Sequence, residues 1–353
     1  RKMAESHIHS GFSIDLDGRN LNPLEFIQLR DERTWVKEVQ VFMKEWLDHS
    51  ESIEVKTSGS TGTPKVILIK KAHMTASARG TLSFLGISEG QSALLCMSAM
   101  FIGGRMMVLR SMLGGLRLTL REPTSAPLQE GDRFDLVALV PMQVENSIDL
   151  LNRVGTLIIG GAPISPSLLD KLTRRKAPKI YQTFGMTETI SHIALRQLSP
   201  EREEYYHALP GVQFSSDDSG CLVIHAEAIG QPELHTHDQV RLIDERSFEW
   251  LGRRDHVINS GGVKIHPEQI EKVISKSLDR EFFVAGWPDN RLGEMAIICI
   301  EGSPKTIDWP LDLPKYHRPR KLVFIPQFSR TPTGKVNRSA TLAGIHPDQL
   351  LDL

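Results

Sequence analysis

Thr57-Ser58-Gly59-Ser60-Thr61-Gly62-Thr63-Pro64-Lys65 is the stretch from which the rest of the chain is best read. It strings hydroxyls and glycines together and closes on one cation. Gly59 and Gly62 can take positive φ and let the backbone approach a ligand closely, while Ser58, Ser60, Thr61 and Thr63 supply donors and Lys65 supplies charge. That is the composition of a loop that holds a polyphosphate, and the ligand it implies is a nucleotide triphosphate. The pattern G-x-x-x-x-G-K-[ST] is not met, because Lys65 lies three residues beyond Gly62 and is followed by Val66. An ordinary P-loop NTPase is therefore disfavoured. Taken in isolation, the same stretch also reads as a Gly/Ser surface turn.

The stretch has company. Ile159-Gly160-Gly161-Ala162-Pro163-Ile164-Ser165 is followed by Tyr181-Gln182-Thr183-Phe184-Gly185-Met186-Thr187-Glu188 and Thr236-His237-Asp238. Gly252-Arg253-Arg254-Asp255, Ser260-Gly261-Gly262-Val263-Lys264-Ile265-His266-Pro267 and Thr331-Pro332-Thr333-Gly334-Lys335-Val336-Asn337-Arg338 come later. In this order the set resembles the adenylate-forming superfamily of acyl-CoA synthetases, luciferases and peptide-synthetase adenylation domains. The resemblance runs from Thr57 to Arg338, most of the chain. It implies a large N-terminal α/β domain of layered sheets with flanking helices and a small, mobile α+β C-terminal domain.

Composition agrees with an enzyme of this kind. Hydrophobic residues make up 40% and charged residues 24% of 353, with a net charge of -1, so a large core can be buried and nothing points to nucleic acid. Cys96, Cys221 and Cys299 are far apart and embedded in apolar runs, which suits buried thiols in a reducing compartment better than disulfides or a metal site. No apolar run approaches the ~20 residues that cross a bilayer, and Arg1-Lys2-Met3-Ala4-Glu5 lacks the apolar segment of a signal peptide. Membrane insertion is not expected, and the expected location is the cytoplasm.

The length suggests two domains. Trp35, Val39, Phe42, Trp46 and Leu47 fall at helical spacing and predict an amphipathic helix over 33–49 whose aromatic stripe is core. Short apolar runs at 93–97, 116–120, 135–140 and 154–159 are of strand length, and strands alternating with helices over the first 250 residues predict a sheet covered on both faces. Loops at the carboxyl ends of such strands are where open α/β sheets place ligands, so Gly160-Gly161 stands where a site would be. After Arg253 a smaller α+β unit is expected, with a helix over 268–278 started by Pro267 and strands near 282–285, 295–300 and 322–325. The division is thus 1–251, a joint at 252–255, and 256–353.

A carboxylate must be activated before a nucleophile will attack it, and ATP does so by forming an acyl-adenylate. The resemblance assigns parts in that chemistry residue by residue. Lys335 would be the adenylation lysine, which reaches carboxylate and phosphate from the small domain and offsets charge at the reacting centre. Thr187 would meet phosphate, and Glu188 would take Mg²⁺, a cation that accepts few carboxylates and keeps its waters. The loop Thr57 to Thr63 with Lys65 would hold the phosphates. Phe184, before Gly185, would stack on adenine, with Gly160, Gly161 and Ala162 on its other side. Asp238 would accept from the ribose hydroxyls, supported by Arg253. Here His237 stands where the family commonly has glycine. Asp255 would be the hinge about which the small domain turns, bringing Gly261, Gly262 and Lys264 to the site for the thiol step.

The acyl pocket is lined in this superfamily by segments that correspond here to Met97–Met107, the Gly160-Gly161 loop and Ser191–Arg196. Phe101, Arg105, Ser191, His192 and Arg196 are the candidates, and a cation beside an apolar pocket hints at an acid with a second carboxylate. A solvated helix face for Arg105 and ordinary core hydrogen bonding for His192 are the plainer alternatives. The Met186–Arg196 run and the compact length are most similar to the branch that ligates o-succinylbenzoate to CoA. The substrates expected are thus a small carboxylic acid, ATP with Mg²⁺, and CoA, with a carrier protein as the alternative acceptor. Another aryl- or acyl-CoA ligase also remains open. A non-catalytic nucleotide-binding protein is disfavoured by the intact Lys65, Thr187, Glu188, Asp238, Arg253 and Lys335. Homo-oligomerisation is left open.

Overall fold

The computed structural model describes residues 8–56, 66–305, 307, 313–330 and 336–353. Its centre is parallel. Ser92–Leu95, Arg117–Leu120, Phe134–Leu139, Val154–Ile159 and the start of Lys179–Gly185 pair as parallel strands. The first four are the apolar runs picked out above, each within two residues of its expected bounds. Near-continuous apolar strands need cover on both sides, and side-chain alternation distributes them. Ala93, Leu95, Leu136, Ala138 and Ile158 enter one core, where they meet the helices Thr34–Leu47, Lys71–Leu85 and Ile102–Gly114. Their sequence neighbours Leu94, Cys96, Val137, Leu139, Leu157 and Ile159 enter a second core with Val144, Leu168 and Leu172.

The alternation of strands with helices stops at Gly185, which differs from the expectation for the first 250 residues. From His192 to Arg253 the chain runs as antiparallel strands joined by turns and one short 3-10 segment. The cause is local: turn-forming clusters such as Asp217-Asp218-Ser219-Gly220 separate the strands, and the longest of these strands, Gln231–Asp244, buries every second residue from 236 to 240, the period of a strand and not of a helix. These strands extend the parallel sheet at one edge, and Ser13–Leu16 with Arg19–Leu21 extends it at the other, to thirteen strands in all. Lys179–Gly185 is therefore the strand at which a parallel sheet becomes antiparallel.

Ile258–Ser260 opens another sheet, of six strands, two of which, Phe282–Asp289 and Gly293–Glu301, pair along their whole length. Alternation again makes two cores: Val284, Ile298 and Ile300 with the helix Pro267–Ile274 on one side, and Phe283, Ile297, Cys299, Val323 and Phe328 on the other. That helix ends at Ile274, short of the expected 278. The Ser275 backbone N–H closes on Glu271, and Lys276-Ser277 passes into turn. All three cysteines are buried and free. Among the described residues no helix is long and apolar enough to cross a membrane.

Candidate functional site

The ends of the parallel strands put the first candidates together. Gly160 follows the strand Val154–Ile159, and a Cβ there would lie 2.4 Å from Thr183 Oγ1, so any side chain would force Thr183 on the neighbouring strand to move; Gly161 takes φ +83°. Gly185 is tighter still, since a Cβ would stand 2.4 Å from Ser191 O and 2.5 Å from His192 Cα. The chain then turns sharply through Thr187–Thr189, and Ile190 is forced to φ +67°. The Thr189 hydroxyl ties the turn by accepting from Met186 N at 2.9 Å and donating to Ser191 O at 2.7 Å. Thr187 is half-buried and Glu188 is exposed. Phe184 is partly exposed and packs edge-on against Phe248 at 5.0 Å between centroids, with Tyr206 at 5.5 Å.

The far side of this turn reaches a residue that the sequence did not single out. Arg110, 2% exposed on the helix Ile102–Gly114, donates from Nη2 to Ser191 Oγ at 3.0 Å. Its Nε has no hydrogen-bond partner, and it has no ion-pair partner among the described residues. Burial pushes its guanidinium down to about 9, so it is still charged at neutral pH. His192 is buried next to it and shares a 2.9 Å hydrogen bond with the Thr81 hydroxyl. Burial, aided by the Arg110 charge, holds His192 well below its ordinary value and therefore neutral. A cation, a neutral imidazole and two hydroxyls thus converge with a donor left over. A small cavity adjoins His192, lined also by Ser77, Gly80, Leu209 and Ile229.

Arg105, the cation expected in this role, is placed differently. Its guanidinium donates to Ala99 O at 3.0 Å, Glu54 O at 2.9 Å and Glu45 Oε2 at 3.2 Å, and lies 5.5 Å from the Phe42 ring centre. It is neither a solvated helix face nor free for a ligand. Arg196 donates to Gln182 Oε1 at 2.5 Å and covers Tyr206, while Phe101, at the start of the same helix as Arg110, is 51% exposed. A helix that is apolar all round is a buried helix. That was the one signal in Ile102–Gly114 that both of its arginines would be buried, and it does not say which has a counter-ion.

A third group forms where Gln231–Asp244 pairs with Ser247–Arg253 and sets Asp238 opposite Arg253. Asp238 accepts from Trp250 Nε1 at 2.9 Å, with an Arg253 nitrogen 3.9 Å from its other oxygen. Burial raises its carboxyl, in part offset by that indole and the Arg253 charge. Arg253 also donates to Asp255 Oδ2 at 2.6 Å, and His237 Nδ1 meets Asp255 Oδ1 at 2.9 Å. Burial works to raise the Asp255 carboxyl, but Arg253 and His237 outweigh it and hold it below its ordinary value. Gly261 and Gly262, at φ +58° and +84°, make the hairpin turn between Ile258–Ser260 and Val263–Ile265, beside exposed Lys264. Thr57, Ser58, Gly59, Ser60, Thr61, Gly62, Thr63 and Lys65, and likewise Lys335, lie outside the described residues. No group of three or more metal-ligating side chains occurs among the described residues.

Residues 56–223 match the family model for AMP-binding enzymes. An acyl-CoA synthetase (AMP-forming)/AMP-acid ligase II-like protein from Dyadobacter fermentans is 34% identical, with 91% of this chain and 98% of that one covered at a TM-score of 0.63. A 2-succinylbenzoate--CoA ligase of Bacillus cereus is 26% identical over 329 residues, which span 80% of this chain and 68% of that protein. The o-succinylbenzoate CoA synthetase of Bacillus subtilis, solved with its acyl-adenylate intermediate, shares the fold at a TM-score of 0.68 and 20% identity, over 83% of this chain and 69% of that one. On its sequence motifs, its mixed sheet and this kinship, the chain belongs to the AMP-binding enzymes, the adenylate-forming family of acyl-CoA ligases.

Proposed function

We propose that the chain converts o-succinylbenzoate to its CoA thioester in two steps, as in menaquinone biosynthesis. In the first, a carboxylate oxygen attacks the α-phosphorus of ATP; the new C–O–P linkage forms as the bond to pyrophosphate breaks. In the second, the CoA sulfur attacks the acyl carbon, the thiol proton is lost and AMP leaves. The observation that carries the substrate is Arg110: a buried cation with one hydrogen bond, a spare Nε and no counter-ion among the described residues. Leaving such a group unpaired is costly, and a carboxylate is the ligand that offsets the cost. A monocarboxylic acid spends its only carboxylate on the phosphate, so the acid must carry a second. The names of the relatives point the same way.

The other residues take parts consistent with this. Asp238 receives the ribose hydroxyls, Phe184 and the Gly160-Gly161-Ala162 loop flank the adenine, and Lys335 and the 57–65 loop serve the phosphates. Glu188 would hold Mg²⁺, which would offset phosphate charge; one exposed carboxylate and no multi-carboxylate cage among the described residues fit a metal held chiefly by substrate and water. Residues 1–251 and 256–353 would act as two bodies about the 252–255 joint, withdrawing Lys335 after adenylation and bringing up Gly261, Gly262 and Lys264.

The test is to incubate the protein with Mg-ATP and o-succinylbenzoate, with and without CoA, and to follow pyrophosphate, AMP and acyl-CoA by mass spectrometry. The expected result is o-succinylbenzoyl-CoA with equimolar AMP. Pyrophosphate without thioester would move the acceptor to a carrier protein, and turnover of monocarboxylic acids in preference would overturn the assignment of Arg110.

A further inference from the structure

His237 stands where the family commonly has glycine, and its side chain is engaged. Its Nδ1 lies 2.9 Å from Asp255 Oδ1. The other carboxylate oxygen of Asp255 accepts from Arg253 at 2.6 Å. Both holders belong to the thirteen-stranded sheet, on the paired strands Gln231–Asp244 and Ser247–Arg253, while Asp255 sits in the 3-10 turn Arg254–His256 that leads out of it. The turn is held from the helix Pro267–Ile274 as well. His256 Nδ1 bonds Glu268 Oε1 at 2.5 Å, and Gly252, at φ +151°, lies so near Glu268 that a Cβ would stand 2.4 Å from its Oε2. Glu268 belongs to the helix Pro267–Ile274, whose Gln269 donates to Leu251 O at 2.8 Å.

Arg253 cannot give all of itself to Asp255. It also faces Asp238 at 3.9 Å, where the ribose is expected, so nucleotide and joint draw on one guanidinium. The His237 side chain faces Asp255 and makes no other hydrogen bond among the described residues. We infer that His237 is a positioning residue: it keeps Asp255 docked on the large sheet when the nucleotide draws on Arg253, and so sets how readily the small domain leaves the orientation in which Asp255 is held. The inference rests on reading 252–255 as the joint of an adenylating enzyme. In a chain with glycine at this position Arg253 alone would carry both tasks.

The experiment compares wild type with His237→Gly and His237→Asn, because an asparagine amide can replace Nδ1 as a donor whereas glycine cannot. Backbone hydrogen exchange over 254–258, read with and without Mg-ATP and needing no acyl substrate, should quicken about threefold in His237→Gly, most clearly with Mg-ATP present, and stay near wild type in His237→Asn, the size expected of one exposed contact. In single-turnover assays with o-succinylbenzoate, the ratio of adenylation to thioester formation should shift by a similar factor in His237→Gly while the KM for ATP holds. Exchange unchanged in both variants would overturn the inference. So would an equal loss in both half-reactions, which marks general damage, or a rise in the KM for ATP alone, which marks a ribose contact. Should wild type fail to turn over o-succinylbenzoate, the substrate reading falls and the exchange data still decide the role of His237.

Discussion

Arg105 and Arg110 belong to one helix, Ile102–Gly114, and both are buried, at 9% and 2% exposure. Arg105 spends its guanidinium on two carbonyls and Glu45. Arg110 has one serine hydroxyl and a spare donor. The first is a tie that joins this helix to Thr34–Leu47 and to the strand Ser52–Lys56; the second is a stored demand for negative charge. The difference teaches that burial of a cation says little about function until its partners are counted, since a paired charge stabilises what it joins and an unpaired one waits for a ligand.

Arg110→Met should break the comparison most sharply. Removing a charge-assisted bond to substrate costs about 2 to 3 kcal/mol, so kcat/KM for o-succinylbenzoate should fall by about 100-fold, while the ligand-free protein should unfold in urea at no lower a concentration than wild type. Arg105→Ala should do the reverse. It strands two carbonyls and a carboxylate, and urea titration should show about 2 kcal/mol less stability with kcat/KM per folded molecule changed less than about threefold. If both substitutions mainly unfold the protein, the division between tie and binding group fails.

Asp238→Asn tests the nucleotide end, away from both arginines. Losing the charged acceptor for ribose should raise the KM for ATP about tenfold and leave the KM for the acid alone, as initial-rate kinetics would show.

A smaller effect concerns pH. The Arg110 guanidinium is lowered by burial to about 9 from its ordinary 12.5, so the folded state disfavours its charge and pays a penalty at every pH below about 9, relieved as pH climbs from there. A bound carboxylate offsets that penalty only while the arginine is charged. The rise in Tm given by o-succinylbenzoate should therefore be larger at pH 7.5 than at pH 10, and Arg110→Met should show no such dependence. His192 has the same sign: lowered well below its ordinary value, it makes the protein lose stability as pH falls below about 6.5, a slope that His192→Gln should flatten in urea titrations.

Much of the scaffold could be read from the chain, and the reasons are particular. The runs at 93–97, 135–140 and 154–159 are apolar on consecutive positions and bounded by turn residues, so strands buried on both faces were the only economical reading, and the two cores that divide Leu94 from Ala93 show why both faces had to be apolar. The candidate site was legible where backbone geometry imposes a residue type, as at Gly160, Gly161 and Gly185. It was not legible where function rests on what a side chain lacks. Nothing in Arg105 or Arg110 reveals that Glu45 and Glu54, 60 and 51 residues upstream of Arg105, supply one of them and not the other. His237 is legible in the sequence as a departure from glycine, but its partner Asp255 follows only from the pairing of Gln231–Asp244 with Ser247–Arg253 and the turn after it.

The turn that follows Gly185 has an evolutionary consequence. Glu188 and Ser191 are separated by two residues, Ile190 is already held at φ +67°, and the backbone of Ser191 and His192 presses on Gly185 without room for a methyl group. An insertion or deletion here, the usual raw material of new specificity in loops, would displace Thr187 and Glu188, proposed for the phosphates, together with Ser191 and His192, proposed for the acid. Descendants that changed their acid would have had to do so by exchanging side chains from outside the turn, on the helices that bear Thr81 and Arg110. Diversity among relatives with other acids should accordingly concentrate at those helical positions, with the length of the 185–192 segment held fixed.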